Sequence, residues 1–146
     1  MSANALAARV AAAMLAGEGT GPVWGVEIEE AGEGHARVRM LVRADMLNGH
    51  GTAHGGMIFA LADSAFAYAC NSRNLRTVAA QASIVFLAAA REGETLVATC
   101  RERALAGRSG VYEVTVTGEG GRAIAEFQGF SRSLGGAVID SGDQDD

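Results

Sequence analysis

The stretch NGHGTAHGGMIFALADSAFAYACNS, residues 48–72, constrains this chain more than any other. Its first nine residues combine Gly, His, Asn, Thr and Ala without periodicity. From Gly55 to about Cys70 the chain is apolar nearly all round, through Met57, Ile58, Phe59, Leu61, Phe66 and Tyr68, with one carboxylate, Asp63, in its middle. Such a pattern predicts a helix buried on most sides. An ionised carboxylate is costly there unless it is paired or hydrogen-bonded. Three readings of Asp63 stay open. It lies on a narrow solvent-facing stripe, it caps a second helix starting at DSAF, or it does chemistry.

The flanking runs supply the rest of the fold. Leu6, Val10 and Met14 recur at helical spacing over residues 3–16, and GEGTGP ends that helix. Trp24, Val26 and Ile28 alternate with polar residues, AGEG turns, and Ala36, Val38, Met40 and Val42 alternate with His35, Arg37, Arg39 and Leu41, which predicts a hairpin. Four strand-like runs follow the helix, at 77–89, 95–105, 111–117 and 122–133, separated by REGE, AGRSG and GEGG. Short connections imply an antiparallel sheet. The expected class is α+β, an antiparallel β-sheet wrapped around a long central helix. One domain spans 1–134, with an N-terminal helix over 1–17 and an acidic, disordered tail over 135–146.

Composition narrows the function. With 146 residues, 49% apolar and 20% charged, the chain reads as globular. Removing the four tail acids, Asp140, Asp143, Asp145 and Asp146, takes the formal charge from −5 to −1. A near-neutral body without a basic stripe argues against nucleic acid, and no uninterrupted apolar run suits a membrane span. ALAARVAAAMLAG lacks a basic leader and Arg9 interrupts it, so no signal peptide is expected. Cys70 and Cys100 form no C-x-x-C and read as reduced core thiols, which points to the cytoplasm. His50 and His54 lack a third ligand, so no metal is expected. His35 reads as a surface residue. Neither a G-x-S-x-G elbow nor a P-loop is present.

His54-Gly55-Gly56 places two glycines at the helix start, where unpaired N–H groups and the helix dipole suit an oxyanion. Gly55 and Asp63 are eight residues apart, about 12 Å along one helix. They meet at one carbonyl only if two such helices pack antiparallel across a two-fold axis, giving two equal sites.

The run NGHGTAHGG followed by LADSAFAYACNS resembles the hotdog-fold acyl-CoA thioesterases of the phenylacetate-degradation (PaaI) type, over roughly residues 20–134. The resemblance implies hydrolysis of an acyl-CoA, aromatic in type, by a homodimer that pairs into a tetramer, with no cofactor beyond the CoA of the substrate. It implies Asp63 as general base or nucleophile, Gly55 N–H as oxyanion donor helped by Asn48, and His54 shaping the helix start or contacting the thioester. Ser64 falls where the family often has Thr. Ser83 is the candidate for holding the water, and Gly56, Arg108, Ser109 and Gly110 are candidates for substrate and CoA contact. Phe59, Phe66 and Phe86 either line an acyl pocket or fill the core. Val85, Ala88 and Ala89 depart from the family's Asp-Phe-Leu-Arg-Pro run. Two rival activities remain: a hotdog hydratase or dehydratase on enoyl- or hydroxyacyl-CoA, and a non-catalytic acyl-CoA-binding protein.

Overall fold

The computed structural model describes residues 1–140. Helix α1 (Ala3–Gly17) begins where the Ser2 hydroxyl accepts the Ala5 N–H at 3.0 Å, and it buries Ala7, Val10 and Ala11. A short helix α2 (Thr20–Trp24) follows and ends on Gly25 with φ of 69°. Trp24 is therefore helical, not the first residue of a strand. Pro22 has its φ preset for a helical turn, and the turn closes when Val26 N–H donates to the Gly21 carbonyl at 2.9 Å.

Six antiparallel strands form one sheet. They are β1 (Glu27–Gly32), β2 (His35–Leu41), β3 (Thr77–Phe86), β4 (Thr95–Ala106), β5 (Ser109–Thr117) and β6 (Ala123–Ser133), in the order β1-β2-β4-β5-β6-β3. Between β2 and β3 runs α3 (Gly55–Cys70). It packs on β2, β4, β5, β6 and β3 in turn, so crossing it carries the chain from one side of the sheet to the far edge.

Alternation decides which residues meet the helix. Ala36, Val38 and Met40 of β2, Leu96, Ala98 and Cys100 of β4, and Tyr112, Val114 and Val116 of β5 are all buried. From α3 they meet Ile58, Leu61, Ala62, Ala65, Phe66, Tyr68 and Ala69. Phe66 is central, with its ring 5.4 Å from Tyr112 and 5.9 Å from Phe127. Gly129 of β6 makes room for it, because a Cβ there would stand 2.8 Å from the Phe66 ring. Burial pushes the Cys70 thiol up to about 12 and raises Cys100 further, so both cysteines are inert core thiols.

Two features bear on assembly and on the tail. β3 is an edge strand of ten residues without charge or proline, and Val78, Val85 and Phe86 on it are exposed. Residues 134–139 are not a free tail. The buried Asn74 side chain accepts the Val138 and Ile139 N–H groups at 3.0 and 2.9 Å and donates to the Ile139 carbonyl at 3.0 Å. Arg76 and Leu134–Gly136 exchange two more backbone bonds. The rest of the expected tail, 141–146, lies outside the described residues. No helix among the described residues is long and apolar enough to cross a membrane.

Candidate active site

The loop before α3 is built by Asn48. Its Oδ1 accepts the N–H groups of His50 at 2.9 Å and Thr52 at 3.2 Å, and its Nδ2 donates to the Thr52 hydroxyl at 3.2 Å. These bonds make a side-chain-closed turn of the kind Asn favours. The loop is then tied to the segment after β3, where Ala53 N–H donates to the Ala90 carbonyl at 2.8 Å.

His54 is the N-cap of α3. Its Nδ1 accepts the Gly56 N–H at 2.8 Å. Its carbonyl accepts the N–H groups of Met57 and Ile58. A Cβ on Gly56 would stand 3.0 Å from that Nδ1, which explains the second glycine of the pair. After these bonds, one N–H at the helix start has no partner among the described residues: that of Gly55. An unpaired amide at the positive end of a helix is a ready oxyanion donor.

The cap is testable. His54→Ala is expected to cost about 1 kcal/mol of stability, the usual cost of losing an N-cap. His54→Asn, which can accept the same N–H, is expected to restore most of it. Urea midpoints for the three proteins check this.

Asp63 lies two turns further along. The helix runs through it unbroken, so DSAF does not start a second helix. The side chain is half-buried and has neither a hydrogen bond nor an ion pair among the described residues. Desolvation holds its carboxyl above the usual range. Gly56, Ala60 and Ala67, at helical spacing around it, form with it the strip of α3 that the sheet leaves partly uncovered. Ser64 follows beside Asp63, also half-buried.

This shift has a consequence for stability. The folded protein binds the Asp63 proton more tightly than the unfolded chain does, so the ionised form costs stability at neutral pH and the cost vanishes at low pH. Asp63→Asn is therefore expected to melt at a higher temperature than wild type near pH 7, with the difference closing as the pH falls below about 4. Thermal melts across that range check it.

The other candidates divide. Arg108 and Ser109 sit on the β4–β5 turn, where Gly107 has φ of 59°, and Arg108 is exposed with no ion pair among the described residues. Both line a cavity of about 80 Å³ at the C-terminal end of α3, with Cys70, Arg73, Tyr112 and Ser131. Gly110 is packed beneath this turn. A Cβ there would stand 2.7 Å from the Ser131 Oγ, so packing accounts for the glycine. Ser83 is not brought to Asp63. It pairs with Gln128 on β6 and lies with Glu113 and Glu126, while its neighbours Ala82 and Ile84 pack toward the core. The sheet's period of two turns Ser83 away from α3. His35 lies 3.9 Å from Glu30 on the outer face, as a surface residue. The three phenylalanines also separate. Phe66 is core, Phe59 packs its ring edge-on to Phe127 at 5.3 Å, and Phe86 reaches Gly55. No local pattern signals that last contact, which joins residues 31 positions apart.

A capped helix start with one free amide, and a lone desolvated acid on the same helix, suit attack of water on an acyl group. The model of the thioesterase superfamily matches residues 50–125. The acyl-coenzyme A thioesterase PaaI of Escherichia coli (strain K12) is 41% identical over 126 residues, covering 86% of this chain and 90% of that protein. The chain belongs to the thioesterase superfamily. The solved structure of E. coli PaaI, from the phenylacetic acid degradation operon, superposes with a TM-score of 0.91 at 40% identity, over 93% of this chain and 99% of that one. A hypothetical thioesterase protein of Streptococcus pneumoniae, solved with coenzyme A, superposes with a TM-score of 0.74 at 28% identity, over 77% of this chain and 88% of that one. This thioesterase thus has the hotdog fold and the PaaI-type likeness that residues 48–72 led one to expect, and it is a thioester hydrolase.

Proposed function

We propose that this thioesterase hydrolyses an acyl-CoA to free acid and CoA at two equal sites formed across a homodimer. The observation that carries the reading is that Gly55 N–H and Asp63 are both unpartnered, yet too far apart along α3 to serve one carbonyl. A second copy solves this. The uncharged edge of β3 offers unpaired backbone groups for an antiparallel partner, and the strip of Gly56, Ala60 and Ala67 lets a second α3 come close. Gly55 of one protomer then faces Asp63 of the other.

In the reaction, Asp63 takes a proton from water and the resulting hydroxide attacks the thioester carbon. The carbonyl oxygen gains charge against the partner's Gly55 N–H. Collapse expels the CoA thiolate, which takes up the proton held by Asp63. Direct attack by Asp63, giving an anhydride that water then cleaves, uses the same residues. Single-turnover hydrolysis in ¹⁸O-water separates the two, since only the anhydride path can leave label in Asp63. A carboxyl held above its usual range is a better base near neutral pH than a free one.

His54 and Asn48 hold the helix start and its loop in place. Arg108, with Ser109, is the contact for CoA phosphate and pantetheine at the β4–β5 turn. The name of the E. coli relative supports acyl-CoA as substrate, and its operon supports a phenylacetyl-type acyl group. Dimers pair into a tetramer. The free thiols of Cys70 and Cys100 suit a reducing cytoplasm. The test is thiol release from phenylacetyl-, hydroxyphenylacetyl-, benzoyl- and straight-chain acyl-CoAs. Release from at least one is expected. Binding without release from any would overturn the reading.

A further inference from the structure

The geometry points to Phe86 as the residue that selects the acyl group, an assignment that rests on the thioesterase reading above. β3 ends at Phe86, and its ring lies over the start of α3. A Cβ built on Gly55 would stand 3.0 Å from the ring's Cζ. The first glycine of the pair is thus what lets a flat ring and the free amide share one space. Phe86 is still 51% exposed, so much of the residue is uncovered in the protomer.

Gly55 and Phe86 line one groove with Asn48, Ile58, Ala88 and Ala89. Among the described residues, no charged side chain lines it. Its polar members, Asn48 and Thr52, are hydrogen-bonded to each other and to their own loop. Where the family resemblance expects Arg and Pro, Ala88 and Ala89 leave the groove open and uncharged.

The wall is held from behind. Leu87 and Ala88 N–H groups both donate to the Ile124 carbonyl, at 2.8 and 3.3 Å, and Arg122 donates to the Ala89 carbonyl at 2.6 Å while paired with Glu94. A substrate carbonyl that accepts the Gly55 N–H places its acyl carbon at the mouth of this groove, beside the ring. A charged acyl group would lose hydration there with nothing to replace it. A flat apolar group meets a ring held in place, which keeps the ordering cost of binding low.

Val85 and Leu87 are also exposed, at 60% and 55%, but the three atoms nearest a Cβ on Gly55 all belong to the Phe86 ring. That separates Phe86 from a general apolar patch.

The test is kcat/KM on phenylacetyl-, hexanoyl- and acetyl-CoA for wild type, Phe86→Leu and Ala88→Leu. Leucine keeps an apolar side chain and removes the flat face. Phe86→Leu is expected to lower the phenylacetyl-to-hexanoyl ratio by about tenfold, the upper worth of a ring–ring contact. Ala88→Leu narrows the groove without touching the ring and is expected to penalise phenylacetyl and hexanoyl more than acetyl. An equal loss on every ester, or unchanged ratios between the esters in both variants, would overturn the assignment and leave Phe86 as a support for the helix start. No thiol release by wild type from any ester would instead overturn the thioesterase reading itself. The two failures are therefore distinct.

Discussion

Asp63→Asn is expected to lower kcat by about 10³–10⁴-fold, the upper end of what general base catalysis contributes. Asparagine keeps the size and the helix and removes only the group that can accept the proton. The large value follows from the surroundings. Asp63 has no partner among the described residues that could take over its proton, and no second acid lies on the uncovered strip of α3 with it. His54 is no substitute, because its Nδ1 is committed to the Gly56 N–H. Thiol release by the variant, beside its melting temperature, checks this. The loss of rate should come with an intact or raised Tm, since the carboxylate destabilises the fold at neutral pH. An Asp63→Asn protein with wild-type turnover would sink the mechanism. One that is inactive because it is unfolded would show in the melt, and Asp63→Ser then offers a second non-basic side chain.

The second large effect concerns the edge of the sheet. The double variant Ala79→Lys with Gln81→Lys is expected to separate the proposed dimer and to lose at least about 10²-fold in activity at low protein concentration. That estimate follows because each site loses a donor or a base from the other chain. Both side chains are exposed in the protomer, so the substitutions cost the single chain little. Lysines on an unpaired edge are the usual means of preventing strand pairing, and a two-fold axis would bring four of them together. Sedimentation velocity measures the dimer, and thiol release at several protein concentrations measures the site. Activity should follow the dimer fraction. A monomer with full turnover would show that Gly55 and Asp63 of one chain suffice, against their separation of about 12 Å.

Local pattern made much of this protein legible. The alternation of Ala36, Val38 and Met40 names the buried face of β2, because in a strand successive side chains point to opposite sides. The run from Gly55 to Cys70 marks the central helix, and His-Gly-Gly marks its start. Each glycine there now has its own cause, the His54 ring for Gly56 and the Phe86 ring for Gly55. Elsewhere local pattern misled. Trp24 alternates with Val26 and Ile28 but closes a helical turn. The family resemblance, not a local pattern, pointed to Ser83, and the register of β3 on β6 turns it away from α3 of its own chain.

The candidate site was legible in residue types and spacing, since a lone acid in an apolar helix and paired glycines at its start are costly unless used. Which amide stays free, which face Ser83 takes and which ring meets Gly55 depended on pairings between distant segments. A hydrogen bond or a ring contact across 31 residues leaves no period in a sequence. The sheet order has the same origin. β3 lies beside β6 and not beside its neighbours in the chain, because α3 must be crossed before the sheet can close over it.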